Sequence, residues 1–472
     1  MLFNSVEFLL FLPIVFVLYW FVFNKNLRVQ NLLILVSSYV FYGWWDYRFL
    51  SLIFLSTIVD YIIGLNMPNQ NSEKKQKLLL WCSVLFNLSV LGFFKYYNFF
   101  VDSWIDLFSS IGYEINSVWT LNIILPVGIS FYTFQTMSYT IDIYRKKLEP
   151  TKDIISFASF VSFFPQLVAG PIERATNLLP QVLNKREFKY EQGVQGLRLI
   201  LWGMFKKVII ADSLAPTVDN IFSNYGDFGG GILWLGAIYF SFQIYYDFSG
   251  YSDIAIGTSK LFGFELVSNF RFPYFSRNIG EFWRRWHISL SSWFRDYLYI
   301  PLGGSKGGKW KSIRNIFIIF LVSGFWHGAN WTFVFWGLFH SILFIPSFVF
   351  KTNRKFTTST IGENTFIPTL KEVFQVGITF ISVTIGWVFF RSETIGDSLN
   401  FLNQMIFQID IPYYLRSNLL LIFSFVPIEY LVRKNEKLEN MKFPLDWVLY
   451  SFLIIYILEN ISKHSNFIYF QF

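Results

Sequence analysis

Charge is what this sequence has least of: only 15% of its 472 residues are Asp, Glu, Lys or Arg, against roughly a quarter in an ordinary soluble domain. Such a chain cannot clothe itself in polar surface, which excludes a conventional soluble enzyme. Cysteine is nearly absent as well. Cys82 is the single one, so no intramolecular disulfide, cysteine-based metal centre or sulfur-borne cofactor chemistry is available. No His-Glu-x-x-His helix appears, and no metal site is expected. Neither a Gly-x-Ser-x-Gly nucleophile elbow nor a Gly-x-x-x-x-Gly-Lys-Ser/Thr phosphate loop occurs. The N-terminus lacks a basic n-region and a small-residue cleavage site, so its first apolar run is expected to stay as a membrane helix.

What the chain has in abundance is apolar and aromatic surface. Hydrophobic residues make up 53%, and 59 Phe, 26 Tyr and 17 Trp bring the aromatic share to 22%, which suits a lipid-facing protein with Trp and Tyr near the interfaces. Apolar runs of about 20 residues, enough to cross a hydrocarbon core about 30 Å thick, recur along the chain. The pattern predicts an all-α, polytopic integral membrane protein, read as one domain over residues 1–472. Twelve spans are expected near residues 3–23, 30–44, 48–66, 78–97, 121–143, 194–212, 231–258, 314–332, 333–350, 372–390, 417–433 and 445–461. Two further apolar stretches, 154–173 and 283–300, are broken, the first by Pro165 and Gly170-Pro171, the second by Arg284, Arg285, His287, Arg295 and Asp296. Broken helices at membrane depth survive only against protein or a water-filled cavity, so both read as re-entrant or interfacial elements lining a site.

The net charge of +8 is dispersed between apolar runs rather than clustered, so it reads as a topology signal and not as a nucleic-acid surface. Lys25, Arg28, Lys74, Lys75, Lys77, Arg145 to Lys147, Lys185, Arg186 and Lys189 fall on one side if 154–173 does not span, and that side is then cytoplasmic. Both termini would face outward, including a tail over 462–472. The segment 98–120 reads as an outer-face amphipathic stretch in contact with lipid.

Four histidines occur, at 287, 327, 340 and 464. His327 lies in Ser323-Gly324-Phe325-Trp326-His327-Gly328-Ala329-Asn330-Trp331, where small residues allow close backbone approach around a buried imidazole. An ionisable residue in a span is a functional hypothesis by default, and an imidazole can take a proton from an attacking hydroxyl near neutrality. The alternative is an imidazole that only hydrogen-bonds between helices. His287 sits in Trp283-Arg284-Arg285-Trp286-His287, either as a catalytic part or within an interfacial anchor of Trp and Arg. His340 reads as packing, and His464 alone is uninformative. The segment Tyr246-Asp247-Phe248-Ser249-Gly250-Tyr251-Ser252-Asp253 places carboxylates and hydroxyls in a span. Asp247 and Asp253 are six apart and do not share a helical face, which argues against a paired-carboxylate mechanism. Tyr246, Asp247, Ser249, Asp253 and Asn330 either line a polar channel or hydrogen-bond between helices. Gly303-Gly304-Ser305-Lys306-Gly307-Gly308 is a phosphate-touching loop or simply a cytoplasmic loop.

With these segments in hand, the chain resembles the membrane-bound O-acyltransferase family, in its bacterial alginate-type branch. The resemblance runs nearly end to end, through Met1 to Ser5, Phe41-Tyr42-Gly43-Trp44-Trp45, Leu125 to Phe131, Pro165 to Ile172, Tyr246 to Asp253, Arg285-Trp286-His287 and Trp326-His327-Gly328. It implies a bowl of membrane helices around a central channel, with His327 as the catalytic residue and His287 as a second important one. It also implies a bacterial cytoplasmic (inner) membrane location, acetyl-CoA as the acyl donor with no tightly bound cofactor, and a surface polysaccharide as acceptor. An extracytoplasmic esterase-like acyltransferase is expected as partner, because the chain carries no outer Ser-His-Asp domain of its own. Arg284, Arg285, Lys306 and Lys309 are the expected contacts for an anionic donor. Members that transfer D-alanine to teichoic acid leave another acyl group open. From another class, a transporter or flippase would share the broken helices but should show related halves, and none is seen.

The final Phe467-Ile468-Tyr469-Phe470-Gln471-Phe472 reads in isolation as an interfacial aromatic anchor. It also resembles a terminal motif of bacterial acyl-transfer systems, sometimes carried by a separate small subunit, in which the tyrosine receives the acyl group. On that reading His327 takes the proton as the Tyr469 hydroxyl attacks.

Overall fold

The computed structural model describes residues 1–113, 120–121, 123–363, 365–408, 410–411, 417–434, 446–460 and 467–468, and every regular element among them is helical. The chain packs as two compact units, the first made of Met1–Val194 with Thr258–Leu266, the second of Gln195–Gly257 with Val267–Phe472.

In chain order the first helices are α1 (Val6–Val17), α2 (Leu27–Asp46), α3 (Leu50–Asn66), α4 (Glu73–Leu91), α5 (Tyr97–Ser110), α6 (Ile129–Tyr144), α7 (Ile154–Val161), α8 (Phe164–Leu167), α9 (Ala175–Leu183) and α10 (Tyr190–Met204). Then follow α11 (Asp212–Ser223), α12 (Gly230–Leu261), α13 (Ile279–Arg285), α14 (Ile288–Phe294), α15 (Lys309–His327), α16 (Trp331–Val349), α17 (Leu370–Arg391), α18 (Ile395–Phe407), α19 (Ser417–Val432) and α20 (Asp446–Asn460). All twelve expected spans coincide with helices. By length and composition, four helical stretches among the described residues are long and apolar enough to cross a membrane: Leu27–Asn66, Glu73–Ser110, Trp331–Val349 and Leu370–Arg391.

Two boundaries differ from the sequence expectation for physical reasons. The span expected from 121 begins only at Ile129, because Pro126 and Gly128 precede it and Gly128 adopts a left-handed φ of 77°. A β-carbon there would approach the Leu167 carbonyl and the Val168 backbone, so glycine is required twice over. The span expected over 314–332 stops at His327, since Gly328 is extended and Asn330 caps α16 by accepting the Thr332 amide at 3.0 Å. His327 therefore ends its helix. Both stretches expected to be broken are broken: 154–173 holds α7 and α8, and 283–300 holds the end of α13, α14 and a π-helical turn over Arg295–Tyr299.

In the first unit, α2 packs on α7 while α3 and α4 pack on α6. The buried Asp60 of α3 accepts the Ser83 hydroxyl at 2.6 Å and the Asn87 amide at 2.8 Å from α4, and Asn87 in turn accepts the Thr136 hydroxyl of α6 at 3.1 Å. Buried polar side chains satisfied in this way fix helix register. In the second unit, α15 packs along α16 and α16 along α17, and a large aromatic core includes Tyr245, Tyr246, Trp286, Trp336 and Trp387.

Candidate acyl-transfer site

The second unit holds the residues singled out above. Gly324 and Gly337 let α15 and α16 touch: a β-carbon on either would collide with the carbonyl of Phe333 or Phe320 on the opposite helix. This contact sets His327, 3% exposed, against the rings of Trp326 and Trp336 at 5.1 Å each and Phe390 at 5.3 Å. His287 stands at the break between α13 and α14 with φ 43° and ψ 56°, a left-handed backbone that is uncommon for a residue with a β-carbon. Strain of this kind concentrates at functional positions. Its ring meets Phe248 edge-on at 4.7 Å and Trp326 at 6.0 Å, so the two imidazoles share the Trp326 indole. His340 is buried among Trp283, Trp336 and Phe339, in line with a packing role.

The carboxylates of α12 are paired. Gly203 and Gly250 stand opposite each other, and a β-carbon on either would lie 2.5 Å or 2.7 Å from the other's carbonyl oxygen. The chain after α10 is π-helical over Phe205–Ala211, a local widening that often marks functional segments. Lys206 meets Asp253 at 2.9 Å, and Lys207 meets Asp247 at 2.7 Å and Asp212 at 2.8 Å. Two consecutive lysines thus serve two carboxylates that face different sides of α12. Tyr246 and Tyr245 donate their hydroxyls to the buried Glu429 of α19 at 3.4 Å and 3.0 Å. Tyr246, Asp247 and Asp253 thus make polar contacts to neighbouring helices, and Ser249 is buried in the same helix. The Asn330 side chain caps α16 and donates to the Glu393 carbonyl at 2.8 Å.

The C-terminal tail enters this neighbourhood. Tyr469 and His464 lie outside the described residues, but Phe467 and Ile468 are 1% and 3% exposed. The Ile468 amide donates to Asp247 Oδ2 at 2.7 Å, and the Phe467 ring packs on Tyr251 at 4.6 Å and Phe248 at 6.1 Å. At these two positions the apolar side chains fill the protein core instead of an interface.

A cavity of about 250 Å³ opens in the same unit, and its lining includes Arg295, Tyr299, Ser305, Asn353 and Arg354 together with Trp283, Ile316, Phe320 and Ser323. Ser323 lies four residues before His327, hence on the same face of α15. Trp336 stands between, 5.7 Å from Trp283 and 5.1 Å from His327. The lining thus combines cationic and hydroxyl groups with apolar ones, and one of the apolar ones, Trp283, is one ring from His327.

The basic residues named from the sequence are arranged otherwise. Arg284 donates to the carbonyls of Asn353 and Lys355, and Arg285 pairs with Glu281 at 3.0 Å while donating to the Arg271 and Ser359 carbonyls. Both arginines staple the loop after α16. Lys306 and Lys309 are exposed beside Ser305. Sequence reasoning did not single out Lys206, Lys207, Glu429 or Arg354, and it had Arg295 in the broken 283–300 stretch read as lining a site. Lys206 and Lys207 carried a usable signal, two charges inside the apolar run Leu199 to Ala211, whereas Glu429 and Arg354 carried none beyond their own charge.

Known proteins resemble this chain in sequence. The sequence profile of the membrane-bound O-acyltransferase family matches residues 145–385, which contain both His287 and His327. The chain is 43% identical over 398 residues to the "Probable alginate O-acetylase AlgI" of Azotobacter vinelandii, covering 84% of this chain and 76% of that one. It is 35% identical over 440 residues to the peptidoglycan O-acetyltransferase of Helicobacter pylori, covering 86% and 80%. To the teichoic acid D-alanyltransferase of Bacillus subtilis it is 28% identical over 287 residues, covering 58% and 70%. With a profile match over half its length and relatives this similar along most of theirs, the chain belongs to the membrane-bound O-acyltransferase family and is an O-acyltransferase.

Proposed function

We propose that this enzyme takes an acetyl group from cytoplasmic acetyl-CoA and passes it across the bacterial cytoplasmic membrane, through a multi-pass helical body, towards an extracytoplasmic polysaccharide. The observation that carries the reading is the cavity lined by Arg295, Arg354, Ser323 and Trp283, with the Trp336 indole in contact with both Trp283 and His327. Its cationic lining residues suit the phosphates of a coenzyme A thioester, and its apolar ones suit the acyl-bearing arm. Arg354 offers a planar fork of donors that matches phosphate. Lys306 and Lys309, exposed beside the mouth, add attraction at longer range.

The acceptor within the chain is Tyr469. It follows Ile468, whose buried amide is bound beside Phe248 and hence one ring from His287. In the proposed step the Tyr469 oxygen attacks the thioester carbonyl while His327 takes the phenolic proton. The carbon–sulfur bond breaks, and the coenzyme thiolate leaves with a proton returned from His327. The aryl ester so formed is more reactive than an alkyl ester, which suits delivery to the serine of an extracytoplasmic partner and from there to the polymer. D-alanyl transfer is the weaker reading, since relatives of that name match at lower identity and over less of the chain.

The test compares the acyl content of surface polymers from cells carrying the unaltered chain and His327→Ala at equal membrane abundance. Loss of acylation is the expected result. Ordinary acylation in the variant rejects the assignment.

A further inference from the structure

We propose that Asp247 is a positioning residue for transfer, a clamp that reads the backbone of the C-terminal tail and fixes the register in which Tyr469 is presented. The inference rests on the reading that Tyr469 carries the acyl group, and it names the device that holds the tail.

Apolar burial alone does not supply register. Phe467 and Ile468 fill space against Tyr251, Phe248 and the surrounding core, and such contacts are non-directional. A slip of one residue exchanges which side chain faces the site, yet costs little in a pocket lined by rings. A hydrogen bond to a fixed acceptor is different, because its length and angle tolerate little displacement. Asp247 Oδ2 accepts the Ile468 N–H at 2.7 Å in a buried setting, and Lys207 holds the other oxygen at 2.7 Å. The acceptor is therefore anchored from the side away from the tail.

The charges explain why a carboxylate serves here. Lys207 also meets Asp212 at 2.8 Å, so one cation faces two carboxylates, and the triad carries a formal excess of one negative charge. An ionised carboxylate accepts several hydrogen bonds, and a buried one needs them. The tail amide is one such donor, bound by the stronger, charge-assisted kind of bond. Because the clamp binds main chain, the side chain at 468 contributes bulk and not recognition. The seat is one ring from His287, through Phe248 at 4.7 Å.

The test uses the full-length protein in membranes. Cys82 is exposed, so Cys82→Ser clears the background and Gln471→Cys reports tail release through its rate of maleimide labelling. Ile468→Ala keeps the amide and removes most of the side chain, whereas Ile468→Pro removes the amide. Labelling of the alanine variant should stay within about two-fold of the parent, and the proline variant should label roughly ten-fold faster or more, as loss of a charge-assisted bond implies. Equal labelling of the two variants, fast or slow, overturns the clamp. Hydrogen exchange of the unaltered tail gives a second measurement: protection of the Ile468 amide supports the clamp, and exchange at the rate of a free peptide overturns it. Ordinary acylation by Tyr469→Phe would reject the relay reading alone, because the labelling contrast and the amide protection do not depend on the phenol.

Discussion

Gly324 faces Gly337 across the α15–α16 crossing, each where a β-carbon would run into the backbone of the other helix. The pair sets the distance between the helix that ends in His327 and the helix that carries Trp336. Close helix contact through small residues is the usual way of building a membrane core. Here it also defines the position of the candidate base.

Gly337→Val is therefore expected to push the two helices apart and displace His327 from its contact with Trp336. Overpacking of a well-filled interior typically costs about 1–3 kcal/mol, so the variant should remain in the membrane with a lowered melting temperature. Acylation should fall far more than stability. Unchanged surface acylation would show that the crossing does not set the catalytic geometry.

His327→Ala is expected to lower the rate by about 10² to 10⁴, the range for loss of one acid–base group, with little effect on abundance. His287 needs a different substitution because of its left-handed backbone. Asn tolerates that conformation better than most residues, so His287→Asn separates the imidazole from the strain. It should fold as well as the parent and acylate less. A His287→Asn variant with full activity would leave His287 only a structural part.

Much of this arrangement was legible in the sequence. The helical stretches followed from apolar run length, and the two broken elements from Pro165, Gly170 and the charges around His287. The ends of α15 and α6 were less legible, since Gly328 and Gly128 act through backbone conformation and not through hydropathy. The seat of Ile468 was not legible at all. It is made by Asp247, 221 residues away in the chain, and apolar composition gives the same signal for a lipid interface as for a protein core. The partners of Arg284 and Arg285 were hidden for a related reason: a guanidinium that staples carbonyls and one that binds phosphate look alike in sequence.

Lys207 is expected to matter more for folding than either of its partners taken alone. Lys207→Ala leaves Asp212 and Asp247 as two buried carboxylates without their cation, and breaking a buried pair in this way costs about 3–5 kcal/mol. Asp212→Asn removes the excess negative charge and keeps the 2.7 Å pair between Lys207 and Asp247, so it should be nearly neutral. Thermal unfolding in detergent distinguishes the two. Equal losses would mean that the triad is not charge-coupled.

The arginines divide into two classes by their partners. Arg284→Lys with Arg285→Lys should lower stability, because a lysine cannot replace the forked contacts to Glu281 and the loop carbonyls. It should leave the KM for the donor nearly unchanged. Arg354→Ala removes a cation from the cavity mouth, and each hydrogen bond to a charged group is worth about 1.5–3 kcal/mol, so its donor KM should rise roughly ten-fold or more at constant melting temperature. The opposite division, with donor affinity lost only in the lysine pair, would move the coenzyme site to α13.

Tyr469→Phe bears most directly on the route taken by the acyl group. Phe467 and Ile468 already supply buried apolar contacts and the amide bond to Asp247, so the tail should stay seated without the phenolic oxygen. Substitution removes one atom and alters neither charge nor, to any large extent, bulk, which makes a folding defect a poor explanation for lost activity. If the phenol is the acceptor, surface acylation should fall to the level of His327→Ala, and the two changes together should cost no more than either alone, as residues acting in one step behave. Mass spectrometry of the C-terminal peptide should find an acyl adduct on the tyrosine when the outer partner is absent, because the aryl ester then has no serine to receive its acyl group. Should Tyr469→Phe acylate normally, the proton taken by His327 must come from another hydroxyl, and the buried tail would be structural.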